Sequence, residues 1–486
     1  MELPFRGYQP DISDLNTAFS RNVLNVLPRS DGFGPVRELT GFSSALPAIC
    51  RGYFYARNTD GSVSIFAGTS QRIYQMDNTD GTWDDVSKGT TNYSAVSSDS
   101  QWQFVQFNNF VIAVQENVVP QVFNLTSSSE FADLGGSPPQ ASYISVVGRF
   151  IVLSGLLSQP YRVQWSGLNA VTTWTSGTNF SDFQDLPDGG IVRGVAGGEY
   201  GLIMQDQSIR RMIYTPGSEI VFQIDRVAQD RGLLAPYSLI PAGDKLFFLS
   251  AQGFIQSDAS GQLNFIGKER VDRTFFADYN TANPQLMIGV ADPSRNIVLW
   301  VYQSIDGAVE NAFNKALIYD WSLNEWTPME IIGQYTSSLA QPGLTLEGLD
   351  SLYSSIEDIP FSLDDVSSAT LPALSFASMS NIIGFLNGDN LEATLETGEF
   401  SQEPHRIEVN GITPITDASD VAISIGNRDN LNASVSYGTE STLNDDGFAP
   451  VLEEGRYVKV KLRIPAGSNW TFARGVVPDF HKGSML

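Results

Sequence analysis

The sequence predicts an all-β chain: a β-propeller of six to seven blades followed by a small β-sandwich-like domain. Three observations predict it. Short apolar runs recur at Val63–Ala67, Phe110–Val114, Phe150–Leu153, Gly201–Met204, Leu246–Leu249, Ile297–Tyr302 and Asn381–Leu386. The first six recur at intervals of roughly 40–50 residues, the spacing of four-stranded blades. Asp-Gly or Asn-Gly pairs punctuate the chain at Asp31-Gly32, Asp60-Gly61, Asp80-Gly81, Asp188-Gly189, Asp306-Gly307, Asn387-Gly388, Asn410-Gly411 and Asp446-Gly447. Such pairs favour tight hairpins, because both central residues of a type I′ turn need positive φ. No long amphipathic helical pattern is present, while Phe (29) and Tyr (17) are abundant and favour strands.

The first unit reads as four strand runs with two Asp-Gly turns: Tyr53–Arg57, Ser62–Gly68, Gln71–Met76 and Thr82–Val86. The next five units span Trp102–Leu134, Tyr143–Ser176, Ile191–Val227, Tyr237–Ile266 and Leu286–Ile331. Trp83, Trp174 and Trp326 follow their core runs within one blade and read as packing anchors. The seventh unit is irregular. It combines Phe376–Leu395 with a borrowed strand, Asn22–Leu27, which would close the ring and remove an open sheet edge. These units form a propeller domain over 1–400, with an irregular acidic insertion at about 340–375. The remainder, 401–486, reads as the sandwich, with strands at Arg406–Val409, Val421–Ile425, Ala433–Tyr437, Tyr457–Ile464 and Asn469–Phe472. The end, from His481, reads as a tail of little order.

The formal net charge of −25 excludes nucleic-acid binding by phosphate neutralisation, which requires Lys and Arg patches. No stretch of about 20 apolar residues exists to cross a membrane. Met1–Pro10 carries no apolar segment of the secretory type, and Cys50 is the single cysteine, so folding in a reducing cytoplasm is expected. That cysteine reads as a buried small hydrophobe. The pattern for N-glycosylation at Asn124-Leu-Thr126 and Asn469-Trp-Thr471 has no relevance without secretion.

The chemistry needed for catalysis is sparse. Only His405 and His481 exist, which removes a His-rich metal centre, and no Gly-x-Ser-x-Gly elbow accompanies them. Gly197-Gly198-Glu-Tyr-Gly201 lacks the Lys-Ser/Thr of a phosphate loop. Asp77–Asp80 and Asn444–Asp446 are incomplete as calcium loops and read as Asx turns. A sialidase-type box is only partly matched by Asn78–Trp83, and Arg210-Arg211 is one isolated pair. A carboxylate pair at a propeller centre remains open, since the chain has 54 acids and glycoside hydrolysis needs two. No catalytic, cofactor-binding or metal residue is assigned.

From Ala316 to His405 there are fourteen Asp and Glu and no Lys or Arg. Within this stretch Glu347, Asp350, Glu357, Asp358, Asp364 and Asp365 form a candidate acidic surface, facing a DNA lumen or a subunit contact; the alternative is a solvated loop.

Several phrases resemble the tail nozzle or tail hub proteins of short-tailed bacteriophages. They are Asn25–Pro35, Cys50-Arg-Gly52, Val163–Gly167, Phe183–Gly190, Ser208–Met212, Asp230-Arg-Gly232, Leu391–Gly398 and Gly455–Gly467 followed by Trp470-Thr471, in order along nearly the whole chain. The resemblance implies a structural virion protein with a propeller and an accessory β domain. It implies a homohexameric ring below a head-to-tail adaptor, in contact with tail fibre or needle proteins, assembled in the host cytoplasm. Double-stranded DNA would pass through non-specifically during ejection. It implies no enzyme activity and no cofactor. The alternative is a propeller on a virion or cell surface that recognises or hydrolyses glycan.

Overall fold

A computed structural model describes residues 2–13, 15, 19–218, 220–258, 261–340, 372–402 and 404–485. The regular structure of the described residues is nearly all strand, with one short α-helix, Asp272–Asp278. Seven four-stranded antiparallel sheets form a β-propeller, and two six-stranded sheets form a sandwich beside it. The first six blades occupy 53–85, 103–133, 141–185, 192–229, 240–265 and 288–333.

The recurring apolar runs are the second strands of these six blades: Val63–Gly68, Phe110–Gln115, Phe150–Leu156, Gly201–Gln205, Lys245–Ser250 and Ile297–Tyr302. Nearly every residue in them is buried, on both faces of the strand. A second strand lies under the adjacent blade on either side, so both faces need apolar side chains and the alternation of a half-exposed strand disappears. Separate cores fill the spaces between successive blades. Phe66, Trp102, Phe123 and Phe131 pack between blades one and two, and Ile112, Ile151, Leu153 and Trp174 between two and three. Between five and six, Trp300 and Trp326 stack with centroids 5.8 Å apart, against Phe247 and Phe254. Trp326 lies in an outer strand and Trp174 between blades, as anchors should. Trp83 opens the outer strand Trp83–Asp85 and donates its indole N–H to Ser44 O at 3.0 Å.

Blade seven departs from the sequence reading. Its inner three strands are Tyr335–Leu339, Ala373–Ala377 and Ile383–Asn390, so the seventh apolar run is a third strand. Its outer strand is Arg37–Gly41, with Gly384 opposite Gly41 and Leu386 opposite Leu39. The ring is therefore closed from the N-terminus, but by Arg37–Gly41 and not by Asn22–Leu27. Val23–Leu24 pairs with Ala393–Glu396, and Val26–Arg29 forms a hairpin with Gly32–Pro35, both in the sandwich. Three turn assignments also change. Asn387-Gly388 and Asn410-Gly411 lie inside strands at irregularities of register, and Asp188-Gly189 lies in a 3-10 turn.

The sandwich is built from both ends of the chain. One sheet runs in the order Val26–Arg29, Gly32–Pro35, Ala473–Met485, His405–Thr416, Ala449–Gly455, with Leu3–Pro4 added on Ala473–Met485. The other runs Val23–Leu24, Ala393–Glu396, Tyr457–Ile464, Ala422–Arg428, Ser436–Tyr437, with Ser441–Thr442 on Ala422–Arg428. Phe5, Val23, Val26 and Phe33 share its core with Leu395, Ile407, Ile423, Val460, Leu462 and Trp470. The division at 400 thus gives way to a propeller over 37–390 and a sandwich made of 3–35 and 393–485. The final residues are not a loose tail: Ala473–Met485 pairs along His405–Thr416, reaching His405 opposite Met485. Asn469–Phe472 is a connection, and Ala449–Gly455 is a strand that the sequence reading passed over.

Asn25 staples the two modules. Its backbone sits at φ 57°, a region Asn tolerates better than most residues. Its side chain accepts the Glu330 N–H at 2.9 Å from blade six and donates to Glu392 O at 3.0 Å. Asp11, from the same N-terminal segment, caps the short helix by accepting the Arg273 and Thr274 N–H groups at 2.8 and 2.9 Å.

Asp272, at the start of that helix, is buried against Gly253 and Gly267, where a Cβ would lie 1.9 and 2.0 Å from its carboxylate oxygens. Its Oδ1 accepts the Phe254 N–H at 3.1 Å, while Oδ2 has no partner. Burial pushes its carboxyl up to about 6, against the pull of the Phe254 N–H. The folded chain therefore keeps this proton between the ordinary value of 3.8 and about 6, where the unfolded chain has lost it. Stability from this group is present below that window, falls as pH rises through it, and is level above it. The loss is on the order of 3 kcal/mol. Asp272→Asn retains the acceptor and replaces the unpartnered oxygen. We expect it to raise the melting temperature at pH 7–8 and to leave it unchanged near pH 4. Denaturation curves across pH 4–8 would show the wild-type slope flattened; an unchanged slope would contradict this account.

Candidate functional site

The innermost strands of the seven blades run side by side around an axial cavity of about 590 Å³. Its wall is aromatic and amide-rich: Tyr53, Phe54, Phe104, Tyr143, Tyr237 and Tyr335, with Gln103, Ser145 and Arg193. Each aromatic falls on, or just before, the first strand of its blade, the strand nearest the axis. Tyr143 meets Tyr237 edge-on at 6.0 Å, and Tyr53 meets Tyr335 at 5.3 Å.

Three of the connections that lead into these strands meet across the axis and bridge one end of the cavity. The Gln101 backbone N–H donates to Tyr237 Oη at 2.9 Å, and Gln101 Nε2 donates to Gln285 O at 3.2 Å. These bonds cross the axis from blade two to blades five and six. Arg51 fixes the crossing loop by donating to Ser97 O at 2.8 Å and to Ser100 O. Gln101 Oε1, Gln285 Oε1 and Ser145 Oγ are buried and have no hydrogen-bond partner.

Among the described residues that line the cavity, none is Asp or Glu. The acid pair that a glycosidase needs at its centre is therefore missing from this wall. Burial raises the phenols of Tyr53, Tyr143 and Tyr335 well above their ordinary value and pushes that of Tyr237 up to about 12, so none is a base near neutral pH. Arg193 is held by Asp206 at 2.6 Å. Among the described residues, no three His, Cys, Asp or Glu are grouped to hold a metal ion. Cys50 is buried, and burial keeps its thiol protonated at about 12. No helix among the described residues is long and apolar enough to cross a membrane.

The candidate acids Glu347, Asp350, Glu357, Asp358, Asp364 and Asp365 lie outside the described residues. The strands on either side, Tyr335–Leu339 and Ala373–Ala377, pair with each other at Leu339 and Ala373.

Three of the quoted phrases meet at blade four in a structural knot. Asp188 accepts Arg210 at 2.5 Å and also Arg226. Gln205, fully buried, accepts Arg210 Nε and Ser208 Oγ at 3.0 Å and donates to Leu186 O and Gly190 O at 2.7 Å. A Cβ on Gly232 would lie 2.2 Å from the Gln205 carbonyl oxygen, which explains a glycine there. The Arg210-Arg211 pair is thus divided, with Arg210 inside this network. Gln205 carried no sequence signal, because a lone Gln after an apolar run looks like any strand end.

No protein-family model matches the chain, and no curated protein matches it. Solved structures match at low values. The extracellular domain of a putative hybrid two-component system from B. thetaiotaomicron is 11% identical with a TM-score of 0.39, over 78% of this chain and 43% of that one. The chain thus spans less than half the length of that structure. A quinonprotein alcohol dehydrogenase-like protein from Bacteroides thetaiotaomicron is 10% identical, with a TM-score of 0.37, over 64% of this chain and 77% of that one. The Swd1 β-propeller domain of Myceliophteria thermophila is 10% identical with a TM-score of 0.30, over 55% of this chain and 97% of that one. No function is carried over from these likenesses.

Proposed function

We propose that the chain is a structural subunit of a ring, the tail nozzle or hub of a short-tailed bacteriophage. In this reading DNA runs between subunits and not through a propeller. The observation that carries it is the bridged axis. Hydrogen bonds from Gln101 to Tyr237 and Gln285 cross one end of a cavity of about 590 Å³. A duplex whose major groove alone is about 12 Å wide cannot thread it. The propeller is then a solid block, suited to building a wall. The net charge of −25 suits that wall, since acid surfaces repel phosphate and keep sliding DNA from sticking. The partners of this role are further copies in a hexamer, a head-to-tail adaptor above, and fibre or needle proteins below.

Electron microscopy of the parent particle tests the proposal. We expect six or twelve copies in the tail around a lumen lined mainly by Asp and Glu. Absence from the tail, another copy number, or DNA gripped by Lys and Arg rings throughout would overturn it. The aromatic wall of the axial cavity, with three unpartnered polar atoms near it, favours glycan recognition as the second reading. Saturable binding of a mono- or disaccharide that is lost in Phe104→Ala would replace the first reading with the second.

A further inference from the structure

A second cavity, of about 740 Å³, lies where the sandwich meets blades six and seven. Its apolar floor includes Val36, Ile297, Leu299 and Ile318, all buried. Arg29, Arg37 and Arg295 stand at its rim, and Asp320 is the one acid among the described residues of its lining. Asp320 is already engaged, accepting from Ser322 Oγ at 2.7 Å and from the Ser322 and Leu323 N–H groups at 2.8 and 2.9 Å. Arg295 reaches only Asp292, at 3.7 Å, and neither Arg29 nor Arg37 makes an ion pair with a described residue. Three loosely held cations around one opening are unusual in a chain with 54 acids and 29 bases.

The second observation is Trp470. It lines the cleft and is 2% exposed, yet its indole N–H has no acceptor. The other buried indoles do better: Trp102, Trp300 and Trp326 donate to Thr69 O, Ser238 O and Ile266 O at 2.7, 2.9 and 3.1 Å. The Trp470 nitrogen is out of solvent reach, so Trp470 serves the cleft as an apolar wall and as a reporter of what fills it. The cleft asks for negative charge at the rim and apolar side chains on the floor. A small inorganic anion meets only the first demand.

We infer that this cleft is a docking site for an acidic peptide segment of a partner chain, one in which carboxylates flank apolar side chains. The apolar side chain enters over Val36 and Leu299 beside Trp470, and the flanking carboxylates meet Arg29 and Arg37. The two modules contribute jointly: Trp470 comes from the sandwich, Arg37 and Arg295 from the propeller. Binding would thus bear on how the modules are held together. It is independent of whether the assembly is a phage tail.

The test uses the full chain labelled with 5-fluorotryptophan, whose eight tryptophans give eight fluorine resonances. W470F assigns the relevant one. Should that variant not fold, a spin label on R295C assigns it by broadening, since the native Cys50 is buried. The probes are a synthetic peptide in which Asp and Glu flank Phe and Leu, the same peptide with Asn and Gln in place of its acids, and inorganic phosphate. We expect the acidic peptide to shift the Trp470 resonance saturably, the neutral peptide to leave it in place, and R29Q/R37Q to weaken binding roughly tenfold. A shift of equal size with phosphate alone would show a small-anion site and overturn the inference. So would an equal shift with the neutral peptide, an unchanged affinity in R29Q/R37Q, or no shift with any probe.

Discussion

Deleting residues 1–41 is expected to unfold both modules, although the deletion removes less than a tenth of the chain. Arg37–Gly41 is the outer strand of blade seven, and four further strands of the same segment lie in the two sheets of the sandwich. Leu3, Phe5, Val23, Val26 and Phe33 are between 0 and 7% exposed in the sandwich core. Each such side chain is worth about 1.5–3 kcal/mol on burial. Together they approach the whole net stability of an ordinary domain, about 5–15 kcal/mol. The propeller would also be left with an unpaired edge on Ile383–Asn390, an aggregation template. Expression should yield insoluble chain, or soluble chain without a cooperative melting transition, and co-expression of 1–41 with 42–486 should recover part of it. A soluble truncated monomer that melts within a few degrees of the full chain would refute this account of closure.

Glu396→Ala is expected to be the most damaging single change in the sandwich. The Glu396 side chain is 3% exposed, and both its oxygens are in use. Oε1 accepts Asn22 Nδ2 and Tyr437 Oη, each at 2.8 Å, and Oε2 accepts Lys459 Nζ at 2.8 Å. The Lys459 side chain is itself only 14% exposed. Truncation leaves a largely buried ammonium without its counter-charge and removes the carboxylate that Asn22 and Tyr437 donate to. The cost of breaking such a pair is about 3–5 kcal/mol. Glu396 also ties the N-terminal segment to the C-terminal one, because Asn22 comes from the first and Lys459 from the second. Glu396→Gln should cost less, since it preserves the shape and one acceptor. Lys459→Met added to Glu396→Gln should recover much of the loss by removing the stranded charge. Chemical denaturation of these three variants and of Lys459→Met alone would measure the coupling. Equal losses for Glu396→Ala alone and with Lys459→Met would show that the ion pair contributes nothing.

Most of the propeller was legible in the residues for one physical reason. A second strand is covered on both faces, so it must be apolar at every position, and such runs stand out: Ile297–Tyr302 is buried throughout. The first six blade boundaries follow from these runs and their hairpins. Outer and edge strands carry no such mark. Arg37–Gly41 reads Arg-Glu-Leu-Thr-Gly and is mostly exposed, so nothing in it announces a propeller strand. Val23–Leu24 and Val26–Arg29 look like strands, but no local feature says which sheet will take them. Blade seven was misread because its second strand, Ala373–Ala377, is separated from its first by 341–372. The axial cavity was invisible for a related reason. Its wall takes two to five residues from each of seven blades spread over almost 300 positions, so Tyr53 and Tyr335 have no sequence relation. The acids of the 341–371 stretch were conspicuous in composition, yet they lie outside the described residues, and the sites that the fold assembles are elsewhere.

The amino-acid sequence by itself determined the repeated blade, the seven-fold count to within one, the acid excess and the poverty of catalytic groups. These depend on composition and on contacts between neighbours along the chain. Only the tertiary structure decided which strand closes the ring, that both chain ends build one sandwich, that hydrogen bonds bridge one end of the axis, and that three arginines and Trp470 line one cleft. Those outcomes depend on pairings between residues hundreds of positions apart. There the hydrogen-bonding edges of many strands are interchangeable, and only the packing of the whole selects among them.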